Sequence, residues 1–360
     1  MTQASTTQAS TTQAPLRIAL ISYYLPSGSK IGVGYHVHEL AGEFTRRGHH
    51  VEVISDCPPV EGASYVHRHV PMTGALRTFR FALAMRRFDF SGYDVLHAAG
   101  EDYWLWRRRV PVHVRVLHGS CFDEALHIRG VRARLRMVLL GVTEVIASLV
   151  ADVTVLVSPV GRRWTPWVRR VIPIGVDTTH FAPGEAAERT GHPVVLFVGT
   201  WSGRKRGSLL ARAFLDTVLP ELPDAELWMV SEDVPTGQHP SIRPLGRVSA
   251  QELQSLYRRA WVFCLPSSYE GFGLPYVEAM ASGLPAVATT NPGARFVLGD
   301  GAGALVTDAD LGGALLRLLR DPDEQSRLRA AGLDRAAGLS LAAAADAYER
   351  LYRERLVRPA

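Results

Sequence analysis

The chain has 360 residues, 47% of them apolar, so it can bury large cores, and its length suggests two domains. Its three cysteines are scattered and give neither a disulfide framework nor metal spacing, and no apolar run reaches the length of a membrane span. A net charge of +5 suits a phosphate-bearing ligand or an anionic surface, but no nucleic-acid-binding signature accompanies it, so no nucleic-acid partner is expected.

Residues 1–15 are near-copies of Thr-Gln-Ala-Ser-Thr, without the basic and apolar regions of a secretory signal. They read as a disordered tail, and a cytoplasmic protein is expected. A short buried strand is predicted at 17–22, then a glycine-rich loop containing Gly32 and Gly34, then helical periodicity over 35–41. This is the opening of a Rossmann-like half, although the glycine spacing is not that of a dinucleotide site. Further strands are predicted at 48–54, 66–70, 94–98, 112–120, 152–158 and 170–173. His97 and His118 stand near strand C-termini, where ligands of open α/β sheets gather, and each reads as a cleft residue or as a structural histidine. His113 alternates with its strand and reads as structural. Residues 130–150 form a helix that carries Arg132, Arg134 and Arg136 at one end. The favoured reading is a packed helix with a solvated basic end, and the other is a peripheral membrane contact. The cluster Arg107-Arg108-Arg109 is read in the same way.

After a polar linker the pattern restarts with a strand at 193–199. Arg204, Lys205 and Arg206 then make a dense positive loop before a helix starting at Ser208, a suitable place for phosphate. Strands at 226–230 and 242–245 follow, then the turn Gly246-Arg247-Val248 and a helix over 250–259, with Ser249 as its N-cap. A buried strand at 261–265 leads into the stretch Glu270-Gly271-Phe272-Gly273-Leu274. Its glycines leave bare backbone that a ligand can approach. A helix begins at Leu274, with Pro275 in its first turn, and points free N–H groups above the loop. Glu270 and Glu278 frame the loop, and a carboxylate that accepts two hydroxyl hydrogen bonds suits a sugar diol. A strand and a turn are expected over 285–293, and helices at 311–319, 324–331 and 342–355. The triplets Asp308-Ala309-Asp310 and Asp321-Pro322-Asp323 read as helix-end residues rather than metal ligands.

The run Glu-Gly-Phe-Gly-Leu-Pro-x-x-Glu-Ala-Met-Ala-x-Gly-x-Pro, from Glu270 to Pro285, resembles the nucleotide-sugar signature of retaining glycosyltransferases of family 4. The resemblance extends over about residues 16–356. It implies the α/β GT-B fold, two Rossmann-like domains with parallel sheets facing across a cleft. Residues 16–184 would bind the acceptor, residues 190–338 the donor, and residues 339–360 would form a helix crossing back to the first domain. By the same resemblance Gly32 and Gly34 face the donor phosphates and acceptor. His118, in a Leu-His-Gly phrase, contacts the donor sugar or its leaving phosphate and the acceptor. Arg247 and Val248 border the nucleobase, and Glu270, Gly271, Phe272, Gly273, Leu274 and Glu278 bind the donor. The family's diphosphate-clamping lysine aligns with Arg206 counted from Gly199 and with Lys205 counted back from Phe214, so both remain candidates. Two departures stand out: Thr200 replaces the family's arginine, and Pro292-Gly293-Ala294-Arg295-Phe296 replaces a Gly-Gly-x-x-Glu turn.

The reaction implied is transfer of a hexose-type sugar from a UDP- or GDP-linked donor to an acceptor hydroxyl, with retention. His118 and Glu270 are the catalytic candidates. No cofactor or metal is expected, since the positive loop and a helix N-terminus can neutralise the leaving diphosphate. The acceptor is open among a small molecule, a natural-product aglycone and a lipid. Two other readings fit the same motifs: a non-hydrolysing nucleotide-sugar epimerase, and a nucleotide-sugar-binding relative that has lost activity.

Overall fold

Strands buried on both faces of a parallel sheet read as unbroken apolar runs, and the runs of this chain build two such sheets. The computed structural model describes residues 14–28, 32–74, 76–106, 110–128, 130–185, 188–299 and 301–357. Most of the expected disordered tail and the Arg107-Arg108-Arg109 cluster lie outside them. The first sheet contains β1 (Arg17–Ile21), β2 (His50–Ser55), β3 (Val66–His69), β4 (Val95–Ala98), β5 (Val112–Leu117), β6 (Val153–Leu156) and β7 (Arg170–Val171). Its order is β3-β2-β1-β4-β5-β6-β7, with every pair parallel. The second contains β8 (Val194–Val198), β9 (Glu226–Val230), β10 (Ile242–Pro244), β11 (Val262–Leu265), β12 (Ala286–Thr289) and β13 (Ala304–Val306). Its order is β10-β9-β8-β11-β12-β13, again parallel throughout.

Strand order reverses beside β1 in the first sheet and beside β8 in the second. Such switch points open a crevice at the C-terminal strand ends. The loops that emerge there are those after β1, β4 and β5 on one side, and those after β8 and β11 on the other. They carry the glycine loop, His118, the basic loop and the Glu270 loop.

The helices are α1 (Gly32–Arg46), α2 (Arg77–Met85), α3 (Cys121–His127), α4 (Val131–Val150), α5 (Gly207–Ala213), α6 (Ala250–Arg259), α7 (Leu274–Ala281), α8 (Pro292–Leu298), α9 (Leu311–Arg320), α10 (Pro322–Ala337) and α11 (Leu341–Val357). Three of them, α2, α3 and α8, are absent from the sequence reading, as is β13. The expected turn at Pro292-Gly293 is instead the start of α8, because the Asn291 side chain accepts a hydrogen bond from Ala294 N at 3.0 Å. Ser120 caps α3 in the same way, accepting from Phe122 N at 3.2 Å. Asp321 caps α10, accepting from Glu324 N at 2.9 Å.

Helix α11 lies on the first half. A bridge between Val176 and Ser340 brings it there, and Arg47, just past α1, holds Asp346 at 2.6 Å and Glu349 at 2.9 Å. Tyr348 and Tyr352 are fully buried, and Tyr352 Oη lies 2.5 Å from His97 Nδ1. His97 therefore belongs to the packing beneath α11. His113 is structural too, bonded through Nε2 to the buried Asp102 at 3.0 Å. Helix α4 has its Arg132, Arg134 and Arg136 end exposed, as expected, but it does not pack by its apolar side. Its apolar residues Val131, Leu135, Leu139 and Val142 are exposed, and its buried positions are Gly141, Ala147 and Ser148. Among the described residues no helix is long and apolar enough to cross a membrane.

Candidate active site

The site is built first by the loop after β11. Glu270 is 5% exposed, yet it is fully engaged with cations. Lys205 Nζ lies 2.7 Å from its Oε1, Arg204 Nη1 lies 3.0 Å from its Oε2, and Ser267 Oγ donates to Oε1 at 2.6 Å. Burial pushes the Glu270 carboxyl up, but Lys205 and Arg204 outweigh it and hold the group below the usual carboxylate range. One buried anion against two cations leaves a net positive pocket wall. Three of the roughly four lone-pair sites of the carboxylate are taken, so Glu270 organises the basic loop more than it offers itself to a diol.

Arg206, the other clamp candidate, points elsewhere. Its Nε donates to Pro266 O at 2.7 Å, and its Nη atoms reach Asp308 at 2.6 and 2.9 Å and Thr289 Oγ1 at 2.9 Å. It ties the ends of β11 and β12 to Asp308, while Lys205 stands in the Glu270 cluster. The triplet aspartate Asp308 is thereby accounted for as an arginine partner.

Helix α7 rises from Gly273, whose φ of +104° suits a residue without Cβ. Glu278 lies a turn in, half-buried, and accepts from Tyr257 Oη at 2.8 Å through Oε2. Burial raises its pKa, against the Tyr257 bond and Lys205. Phe272 is buried core, its ring 6.0 Å from that of Phe296. The turn that departs from the family pattern buttresses this loop from below: a Cβ on Gly293 would meet Glu270 O at 2.5 Å and Phe272 O at 2.8 Å.

The first half closes onto this loop. A Cβ on Gly271 would meet His118 O at 2.8 Å and Gly119 Cα at 3.1 Å, so the two backbones approach this closely only because position 271 is glycine. Ser158 Oγ donates to Gly271 O at 2.5 Å, and the His127 and Tyr269 rings stack 5.4 Å apart. Gly32 faces Leu274, which lies 3.6 Å from where its Cβ would be, whereas Gly34 is pressed onto Tyr24 and Leu25 and serves packing.

His118 follows β5, at the mouth of this contact. Neither ring nitrogen has a hydrogen-bond partner, and the same holds for the buried His36, whose ring meets it edge-on at 5.5 Å. Burial, with His36, Arg115 and His97 adding to it, presses the His118 pKa well below the ordinary value, and burial takes His36 down to about 4. His118 is thus a neutral imidazole with free hydrogen-bonding capacity beside the glycine loop. On α1, burial, Glu278 and Asp177 push the half-buried Glu39 up to about 8.

Arg247 is exposed and Val248 half-buried in the turn after β10, at the same C-terminal sheet edge but outside the Glu270 cluster. Ser158, Tyr257, His36 and Glu39 escaped the sequence reading, since each meets its partner in a distant element. Ser267 and Tyr269 had a local signal, both lying within three residues of Glu270 in the same loop.

The profile of Glycosyltransferase Family 4 matches residues 31–180, and that of Glycosyl transferases group 1 matches residues 192–321. The D-inositol 3-phosphate glycosyltransferase of Kineococcus radiotolerans is 31% identical, over 94% of this chain and 95% of that protein. Sucrose-phosphate synthase from Thermosynechococcus elongatus shares the fold with a TM-score of 0.77 at 22% identity, covering 94% of this chain and 98% of that one. Anabaena HepE in complex with UDP-glucose does so with a TM-score of 0.74 at 16% identity, covering 94% and 100%. One profile falls on each sheet and the inositol-phosphate enzyme matches nearly end to end, so the chain belongs to glycosyltransferase family 4 and is a glycosyltransferase of GT-B fold.

Proposed function

We propose that the protein transfers a hexose-type sugar, with retention, from a UDP- or GDP-linked donor to an acceptor hydroxyl. The observation that carries this reading is the Glu270–Lys205–Arg204 cluster beside the N-terminus of α7, facing an unpartnered neutral His118. The donor diphosphate lies against Lys205 and the N-terminus of α7, where net positive charge and the helix dipole favour an anion. Glu278 takes the ribose diol, and Arg247 and Val248 border the base. That HepE is described with UDP-glucose supports the donor class.

As the glycosidic bond breaks, charge grows on the diphosphate, and Lys205 stabilises it from a fixed position. His118 hydrogen-bonds a sugar hydroxyl. Glu270 is locked between two cations, so it does not serve as the covalent nucleophile of a double displacement. Attack from the face of departure, with the leaving phosphate as base, then accounts for retention. The acceptor sits on residues 16–184 and the donor on residues 190–338, with α11 fastening the two. The three free cysteines fit a reducing, cytoplasmic setting.

An acceptor screen with UDP- and GDP-sugars, read by mass spectrometry and by the anomeric coupling of the product, tests the reading. A glycoside with the donor's configuration supports it. An inverted product, or free nucleotide with an epimerised sugar and no transfer, overturns it.

A further inference from the structure

Helix α4 is amphipathic in the reverse sense. Its inner side is small: Gly141 sits on the Phe122 ring, where a Cβ would come within 2.8 Å, and Ala147 and Ser148 are its other buried positions. Its apolar residues face water. Val131 is 84% exposed, and Leu135, Val138, Leu139, Val142 and Leu149 are exposed with it. Their spacing of i, i+4, i+7, i+8, i+11 and i+18 gathers them within roughly 100° of arc. Arg132 and Arg134, both exposed, flank that stripe on opposite sides. The single acidic residue of the helix, Glu144, turns away to bond Cys121 N at 2.9 Å and Sγ at 3.0 Å.

The neighbouring surface continues the pattern. Tyr103 packs with Ala82 and Phe79 of α2 and with Ala147 and Ile146 of α4. The loop it belongs to exposes Trp104 and Trp106. Helix α2 exposes Leu83, carries Arg77 and Arg80, and contains no acidic residue. An apolar stripe with tryptophans beside it, arginines around it and no carboxylates within it is unsuited to water.

We propose that α4, the Trp104–Trp106 loop and α2 form a docking surface for an anionic lipid bilayer, with α4 lying in the plane of the headgroups. Charge selects this occupant. A second copy of the chain would bring the same arginine-flanked stripe with no carboxylates to receive them. A bilayer meets every feature: the aliphatic stripe enters the acyl boundary, guanidinium groups reach up to phosphate, and tryptophan sits at the interface. The surface lies outside the donor site, and the proposal stands whether or not the donor reading does.

Flotation of the full-length protein with phosphatidylcholine vesicles, with and without about 30 mol% phosphatidylglycerol, tests it. The protein is expected to float with the anionic vesicles and not with the neutral ones, and to detach at about 1 M salt, where screening is nearly complete. Leu135→Glu with Leu139→Glu should abolish flotation while nucleoside-diphosphate binding is retained. Arg132→Ala with Arg134→Ala should lower partitioning roughly five-fold per charge, and carries the test if the leucine variant fails to fold. The proposal is overturned if the wild type does not float with anionic vesicles or the variants float as well as it does. A concentration-dependent dimer without vesicle binding, lost in the leucine variant, also overturns it and assigns the face to a second copy.

Discussion

Glu270 and Glu278 look alike in the sequence and differ in the structure. Glu270 is bonded to Lys205, Arg204 and Ser267, whereas Glu278 accepts one bond from Tyr257. Glu278 is therefore the better diol ligand, and Glu278→Ala should raise the Kd for the nucleoside diphosphate. Charged hydrogen bonds are worth roughly 1.5–3 kcal/mol each, so a loss of about ten-fold or more per bond is expected in calorimetry. Unchanged binding would remove the ribose assignment. For His118 the expectation is kinetic. Its ring approaches the sugar from the half opposite the donor, so His118→Ala should lower kcat by about 10²–10⁴ and leave nucleoside-diphosphate affinity nearly unchanged. Because burial keeps the ring neutral, kcat should also show no inflection from this histidine between about pH 6 and 8. Near-normal turnover in a folded variant would make His118 a packing residue.

Among the elements, the basic loop after β8 divides its work. Lys205→Ala should weaken binding of the nucleoside diphosphate more than that of the nucleoside, since its ammonium stands in the Glu270 cluster. Arg206→Ala should instead lower the Tm, because it removes the link between Pro266, Thr289 and Asp308. If both variants lose affinity equally at unchanged Tm, that division is wrong. Spacing left the two residues interchangeable because the choice is made by Asp308, 102 positions away. What the sequence displayed well was local: the apolar strands, the Glu270 loop, the glycine before α7 and the Ser249 cap all follow from neighbours in the chain. Helices α3 and α8 were missed because each is a short segment, of seven residues, that depends on a cap. For α4 the spacing predicted a helix with a basic end but could not say on which side the protein lay.

At the scale of the molecule, the two halves are closed on each other through Gly271, Ser158 and the His127–Tyr269 stack. Closure brings like charges together, since Glu39 of α1 feels both burial and Glu278 of α7. Its pKa rises from 4.5 to about 8, so the closed form binds a proton that the unfolded chain has released. Stability from this group is complete below about pH 4.5 and is lost as pH climbs through about 8. Glu39→Gln should therefore raise the Tm at pH 9 and change it little at pH 5, with roughly a unit of pH tolerance on the midpoint. Parallel Tm curves for wild type and variant across that range would sink the assignment.

The position of α11 also sets an order of events at birth. Tyr348 and Tyr352 seal the first half, Tyr348 meeting the His97 ring edge-on and Tyr352 the Phe44 ring at a tilt, and the pairing of His97 with Tyr352 spans 255 residues. A chain emerging from the ribosome exposes the strands of its first sheet well before α11. The earliest sheet must therefore wait, with the seat of those tyrosines uncovered, until the second half and α11 have been made. A premature stop within these 17 residues would strand an otherwise intact first half in that unsealed state, open to aggregation before any sugar is met.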